Sequence, residues 1–98
     1  MTTKQRAILR SMASTYEPIL HIGKDGINDN VIKQCDDALE ARELIKATVL
    51  ETAPYTAKEA CEILCEETHA DAVQVIGRRF VLYRQARKNS KIKLDELC

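Results

Sequence analysis

The sequence predicts one α+β domain, an α/β sandwich in which three helices cover a four-stranded mixed sheet in the order α-β-α-β-α-β-β. Three observations lead there. Stretches with apolar residues at 3–4 spacing alternate with short apolar or β-branched runs. Such alternation implies parallel strand pairs joined through helices. Two threonine capping boxes and one asparagine cap mark three helix starts. Near the end, Gly77-Arg78 separates two strand-like runs, a hairpin signal.

Thr2 and Gln5 form the first Thr-x-x-Gln box, and Gln5, Ile8, Leu9, Met12, Ala13 and Tyr16 make an apolar stripe. A helix is therefore expected over 3–15, ended by Glu17-Pro18, because the residue before proline is pushed out of the helical region. Ile19-Leu20-His21-Ile22 reads as a buried strand and Gly23-Lys24-Asp25-Gly26 as its connection to the next helix. Asn28 caps that helix, expected over 29–42 with Val31, Ile32, Cys35, Ala38 and Leu39 facing the core. Residues 43–51 include Ile45, Thr48, Val49 and Leu50 and read as a strand. The Thr56-x-x-Glu59 box opens a third helix over 57–68, with glutamates 59, 62, 66 and 67 outside. Strands over 72–76 and 79–85 complete the domain. Residues 1–98 are read as one unit, with a core over about 2–86 and a polar tail over 87–98.

No run of about 18 apolar residues exists, so no helical membrane span is expected. The N-terminus lacks the apolar core of a signal peptide, and the expectation is a cytoplasmic monomer. Cys35, Cys61, Cys65 and Cys98 have no CxxC spacing and read as small core hydrophobes. Cys61, Cys65 and His69 recur every four residues, yet no fourth metal ligand lies nearby, so no metal or other cofactor is expected. No nucleophile is patterned with His21 or His69, so no enzyme is expected.

The zero net charge conceals an uneven distribution. Residues 1–24 hold four bases and one acid, net +3; residues 25–76 hold four bases and twelve acids, net −8; residues 77–98 hold seven bases and two acids, net +5. Local potential, rather than net charge, attracts a polyanion. Three basic groups stand out: Lys4, Arg6 and Arg10 on the first helix; Lys24 in the glycine loop; and Arg78, Arg79, Arg84, Arg87, Lys88, Lys91 and Lys93 on the hairpin and tail. A GxxG loop before a helix N-terminus lets backbone amides meet a phosphate, as in KH modules. A tight turn has the same spacing, and Asp25 must point away from any phosphate. Tyr16, Tyr55, Phe80 and Tyr83 are the only aromatics, and the last two fall on opposite faces of one strand. No multi-ring stacking platform is expected.

Several segments in order carry a family resemblance: Thr2-x-Lys4-Gln5-Arg6, Pro18-Ile19-x-x-Ile22-Gly23-Lys24-x-Gly26, Asn30-Val31-Ile32-Lys33-Gln34, Ala41-Arg42-Glu43-Leu44-Ile45-Lys46 and Val73-Gln74-Val75-Ile76-Gly77-Arg78. Over about residues 2–94 the chain resembles the YhbY family, bacterial stand-alone versions of the chloroplast RNA splicing and ribosome maturation (CRM) domain. The resemblance implies a fold similar to the C-terminal domain of translation initiation factor three. It also implies binding to RNA, namely ribosomal RNA of the large subunit or its precursor, as an assembly factor. Carried over by position, the implied RNA contacts are Gly23, Lys24 and Gly26, then Lys4, Arg6 and Arg10, then Asn30 and Lys33, with Arg78, Arg79 and Arg84 on the hairpin. The competing reading is a protein-interaction module whose acidic third helix meets a basic ribosomal partner.

Overall fold

The structure of the chain, a computed structural model, describes residues 2–86. Helix α1 spans Thr3–Ala13, strand β1 Leu20–Ile22, helix α2 Asp29–Arg42, strand β2 Leu44–Val49, helix α3 Ala57–Thr68, strand β3 Asp71–Ile76 and strand β4 Arg79–Tyr83. The element order is the expected one. Each helix starts at its expected cap. The Gln5 amide donates to Thr2 Oγ1 at 3.0 Å, and the Thr2 amide donates to Gln5 Oε1 at 2.9 Å. Asn28 Oδ1 accepts from the Val31 amide at 3.0 Å, and Thr56 and Glu59 repeat the reciprocal box.

Helix α1 is shorter than expected. It stops at Ala13, well before Pro18, where the Ser14 hydroxyl donates to the Ser11 carbonyl at 2.7 Å. Tyr16 therefore leaves the apolar stripe and is 39% exposed. Strand β2 starts one residue late because Glu43 takes a positive φ of 66° at the end of α2.

The sheet order is β1-β2-β4-β3. β1 and β2 are parallel, and β4 is antiparallel to both β2 and β3. The helices do not share one face. Helices α2 and α3 enclose a cluster that includes Leu20, Ile22, Leu39, Ile45, Ala47, Leu64, Phe80 and Leu82. Leu9, Met12 and Ala13 of α1 pack on the other face, against Leu44, Val73, Val81 and Tyr83. The central strands β2 and β4 are apolar on both sides, so both sides need cover. Phe80 and Tyr83 are buried in opposite clusters, as the alternation of the strand requires.

Candidate nucleic-acid interface

Parallel pairing puts the C-terminal ends of β1 and β2 at one end of the sheet. β4 begins there, because Arg79 pairs with Thr48. The Gly23–Gly26 loop, the segment 50–56 and the Gly77-Arg78 turn consequently gather at that end. Gly26 closes the first of these, donating its amide to the Gly23 carbonyl at 3.0 Å. Its φ is +69°, and a Cβ there would lie 3.1 Å from Tyr55 Cε2 and 3.3 Å from Pro54 Cγ. Gly26 is thus held by conformation and by packing. Gly23 has neither constraint: its φ is not positive, and a Cβ would meet only Leu50 Cδ1 at 3.7 Å.

A shallow cleft of about 460 Å³ lies beside this loop, bordered by His21, Lys24, Asp25, Asn28, Asn30, Leu50 and Thr52. Lys24 and Asp25 are both exposed. At the start of α2 the Val31 amide is taken by the Asn28 side chain and the Ile32 amide by the Asn28 carbonyl. The amides of Asp29 and Asn30 have no described partner, so an oxyanion could use them. The acidic Asp29 in the first turn weakens that attraction.

The predicted cations divide by what they touch. Lys33 pairs with Asp37 at 3.1 Å and Arg78 with Glu51 at 3.3 Å. Both pairs are well exposed, and such pairs contribute roughly 0–1 kcal/mol, so neither cation is locked away from an anion. Lys24 and Arg79 have no ion pair among the described residues. Lys4, Arg6 and Arg10 are exposed on α1. At 100° per residue, Lys4 projects from one flank of that helix and Arg6 and Arg10 from the other. They sit on a different layer from Lys24, not on one shared stripe.

Arg84 is corrected by the structure. Its side chain is only 11% exposed. Nη1 donates to Asp36 Oδ1 and, at 2.9 Å, to the Thr68 carbonyl, while Nη2 reaches the Asp36 carbonyl at 3.1 Å and Glu40 Oε1 at 3.6 Å. It ties the end of β4 to α2 and α3, at the opposite end of the strand from Arg79. Arg87, Lys88, Lys91 and Lys93 lie outside the described residues.

Sequence reasoning missed a row that crosses the whole sheet. His21 pairs with Thr48, Thr48 with Arg79, and Arg79 with Ile76. Their neighbours Ile22, Val49 and Phe80 point into the α2–α3 cluster, so the row faces the side of α1. His21, Arg79 and Ile76 are exposed there. The signal available in the sequence was the two-residue alternation of Ile19 and His21 with Leu20 and Ile22.

The acidic residues Glu62, Glu66 and Glu67 are exposed on α3, with no described ion pair. Cys35 of α2 and Cys61 of α3 are buried in the cluster that these two helices enclose. Burial pushes the Cys35 thiol up to about 11. The hydrogen bond with Cys65, followed by burial, raises Cys61 as well, so both stay protonated at neutral pH.

Comparison with known proteins decides the family. The model of the CRS1 / YhbY (CRM) domain matches residues 1–84. The chain belongs to the CRS1/YhbY (CRM) domain family. This CRM domain is 44% identical over 94 residues to the protein of Bacillus subtilis named probable RNA-binding protein YqeI, covering 96% of this chain and 98% of that one. It is 33% identical over 94 residues to a protein of Haemophilus influenzae named RNA-binding protein, covering 96% and 94%. The solution structure of SAV1595 from Staphylococcus aureus, a candidate RNA-binding protein, superposes with a TM-score of 0.78. That match has 49% identity and covers 95% of this chain and 97% of the other. Among the described residues, no helix of the CRM domain is long and apolar enough to cross a membrane.

Proposed function

We propose that this CRM domain binds RNA by seating the phosphate backbone against the Gly23–Gly26 loop, and that the RNA belongs to the large ribosomal subunit or its precursor, which the domain helps to assemble. The contrast between the two loop glycines carries the reading. Gly26 is needed for the turn itself. Gly23 is not, and a bare Cα at that position lets a ligand come close to the chain. Lys24, with no ion pair among the described residues, supplies a cation, and Arg78 and Arg79 emerge at the same end of the sheet. Family membership and the names of the relatives support RNA as the partner. The ribosomal target rests on the motif resemblance alone.

Binding of the protein to fragments of large-subunit ribosomal RNA, and to subunit precursors, tests this by fluorescence anisotropy across a salt series. Gly23→Ala and Lys24→Gln are expected to weaken binding. Lys24→Gln should also reduce the slope of log K against log salt by about 0.7, the value for one single-strand phosphate contact. Unchanged affinity in both variants would overturn the loop assignment. Charge reversal at Glu62 and Glu66 is the control for a protein partner on α3. Ribosomal association lost in that variant alone would favour the protein-interaction reading.

A further inference from the structure

A second cavity lies away from the glycine loop. It has a volume of about 530 Å³ and opens where the segment after α1 passes the start of β2. Such a size suits a small-molecule-sized group. Its wall includes Tyr16, Glu17, Ile19, Arg42 and Lys46. Tyr16 and Ile19 are 39% and 40% exposed, so the ring and the aliphatic wall beside it can be reached from solvent. Arg42 and Lys46 have no ion pair among the described residues, although Glu17 lines the same cavity. An exposed ring, two uncommitted cations and one carboxylate acceptor match the parts of a nucleotide. The ring takes a base face, the cations take phosphate, and the carboxylate takes a base N–H.

Position adds a second observation. The cavity and the loop cleft bracket β1, an edge strand. Ile19 lines the one and His21 the other. Two residues apart, they lie on the same side of the chain, away from the buried Leu20 and Ile22. The Ile19 amide donates to the Lys46 carbonyl at 2.9 Å, which fixes the cavity wall to the sheet. From Ile19 to Gly23 the chain covers roughly 13 Å.

We propose that this cavity is a nucleotide subsite for the same RNA strand that the loop holds, with a base stacked on Tyr16 and its phosphate at Arg42 and Lys46. The inference rests on the RNA reading of the loop. It extends the footprint along the β1 edge, from Lys24 past His21 to Tyr16.

The test measures binding of ten-nucleotide single-stranded RNAs to the full chain and to three variants. Tyr16→Ala should weaken binding about tenfold, the loss of one base–aromatic stack. Tyr16→Phe keeps the ring and should bind as wild type. Arg42→Gln should lower both the affinity and the salt slope, the slope by about 0.7. Both positions are on the surface, and thermal unfolding checks that each variant is folded. Binding that depends on Lys24 but ignores Tyr16 and Arg42 would overturn the subsite and leave the loop assignment standing. A wild-type protein that binds no RNA would overturn both. If guanosine or adenosine monophosphate binds in a Tyr16-dependent manner while the ten-mers ignore Tyr16, the cavity takes a free nucleotide and the strand subsite is wrong.

Discussion

Gly23 and Gly26 stand three residues apart and answer different demands. At Gly26 a side chain would take up a left-handed conformation and press on Tyr55 and Pro54. Gly26→Ala should therefore lower stability by about 2–3 kcal/mol, the sum of backbone strain and overpacking. Gly77 also has a positive φ, of 58°, but nothing lies within 4 Å of its would-be Cβ. Gly77→Ala should cost only the strain, about 1 kcal/mol. Gly23→Ala should stay within about 0.5 kcal/mol of wild type. Urea denaturation with an unchanged m-value checks all three. A Gly23 variant as unstable as the Gly26 variant would make that position structural and remove its claim as a contact point. Arg84 shows where a basic residue misleads. Next to Arg78 and Arg79 in the chain it reads as surface charge. The clue to its inward role was elsewhere: Asp36 and Glu40 stand four apart on one face of α2 and need a cation. Arg84→Ala removes the guanidinium that these carboxylates and the Thr68 carbonyl share. It is expected to destabilise by roughly 2–3 kcal/mol, with any loss of RNA affinity following from unfolding.

Among the elements, the helices were the most legible, because their starts are written in local chemistry. Thr2, Asn28 and Thr56 cap in place, and α2 and α3 have the expected bounds. Ends were less legible. Ser14 can close α1 with its own hydroxyl, a local hydrogen bond that competes with helix continuation. That early stop turns Tyr16 from a core residue into a cavity wall. The α3 box gives a pH-dependent prediction. The Thr56 amide, then the Thr56 hydroxyl, hold the Glu59 carboxyl below its usual 4.5. A depressed folded-state value stabilises the protein above the unfolded value, and the effect is lost as pH falls through the folded value. The stability gap between wild type and Glu59→Gln should thus be full above pH 4.5 and close on further acidification. Chemical denaturation at a series of pH values reads it. Thr56→Ala should cost about 1 kcal/mol at neutral pH.

For the whole molecule, element order was readable and layer assignment was not. The alternation of strands and helices implies the sheet. Which side each helix takes depends on which strand face offers an apolar surface. Leu44 and Ile45 are adjacent and both buried, on opposite sides of β2. A run of that kind reads as buried without saying by what. The same gap hid the cross-sheet row of His21, Thr48, Arg79 and Ile76, since register between distant strands leaves no local mark. The charge split was a better guide. Lys24, Arg78 and Arg79 come from different basic segments, and the fold brings them to one end of the sheet.

The solitary position of α1 also sets an order of events in time. Its seat is assembled from Leu44 of β2, Val73 of β3 and Val81 and Tyr83 of β4. No such surface exists until the hairpin has joined β2. Helix α1, earliest in the element order, must therefore wait for β3 and β4, the latest. Leu9 is fully buried in that seat, and Leu9→Ala should destabilise by about 2–4 kcal/mol. If docking follows the folding barrier, nearly all of that loss falls on the unfolding rate, with a φ-value near zero. Leu82→Ala, in the cluster of α2 and α3, should slow folding as well. Stopped-flow chevrons for the two variants measure this directly, and a high φ-value at Leu9 would place α1 among the first elements to dock.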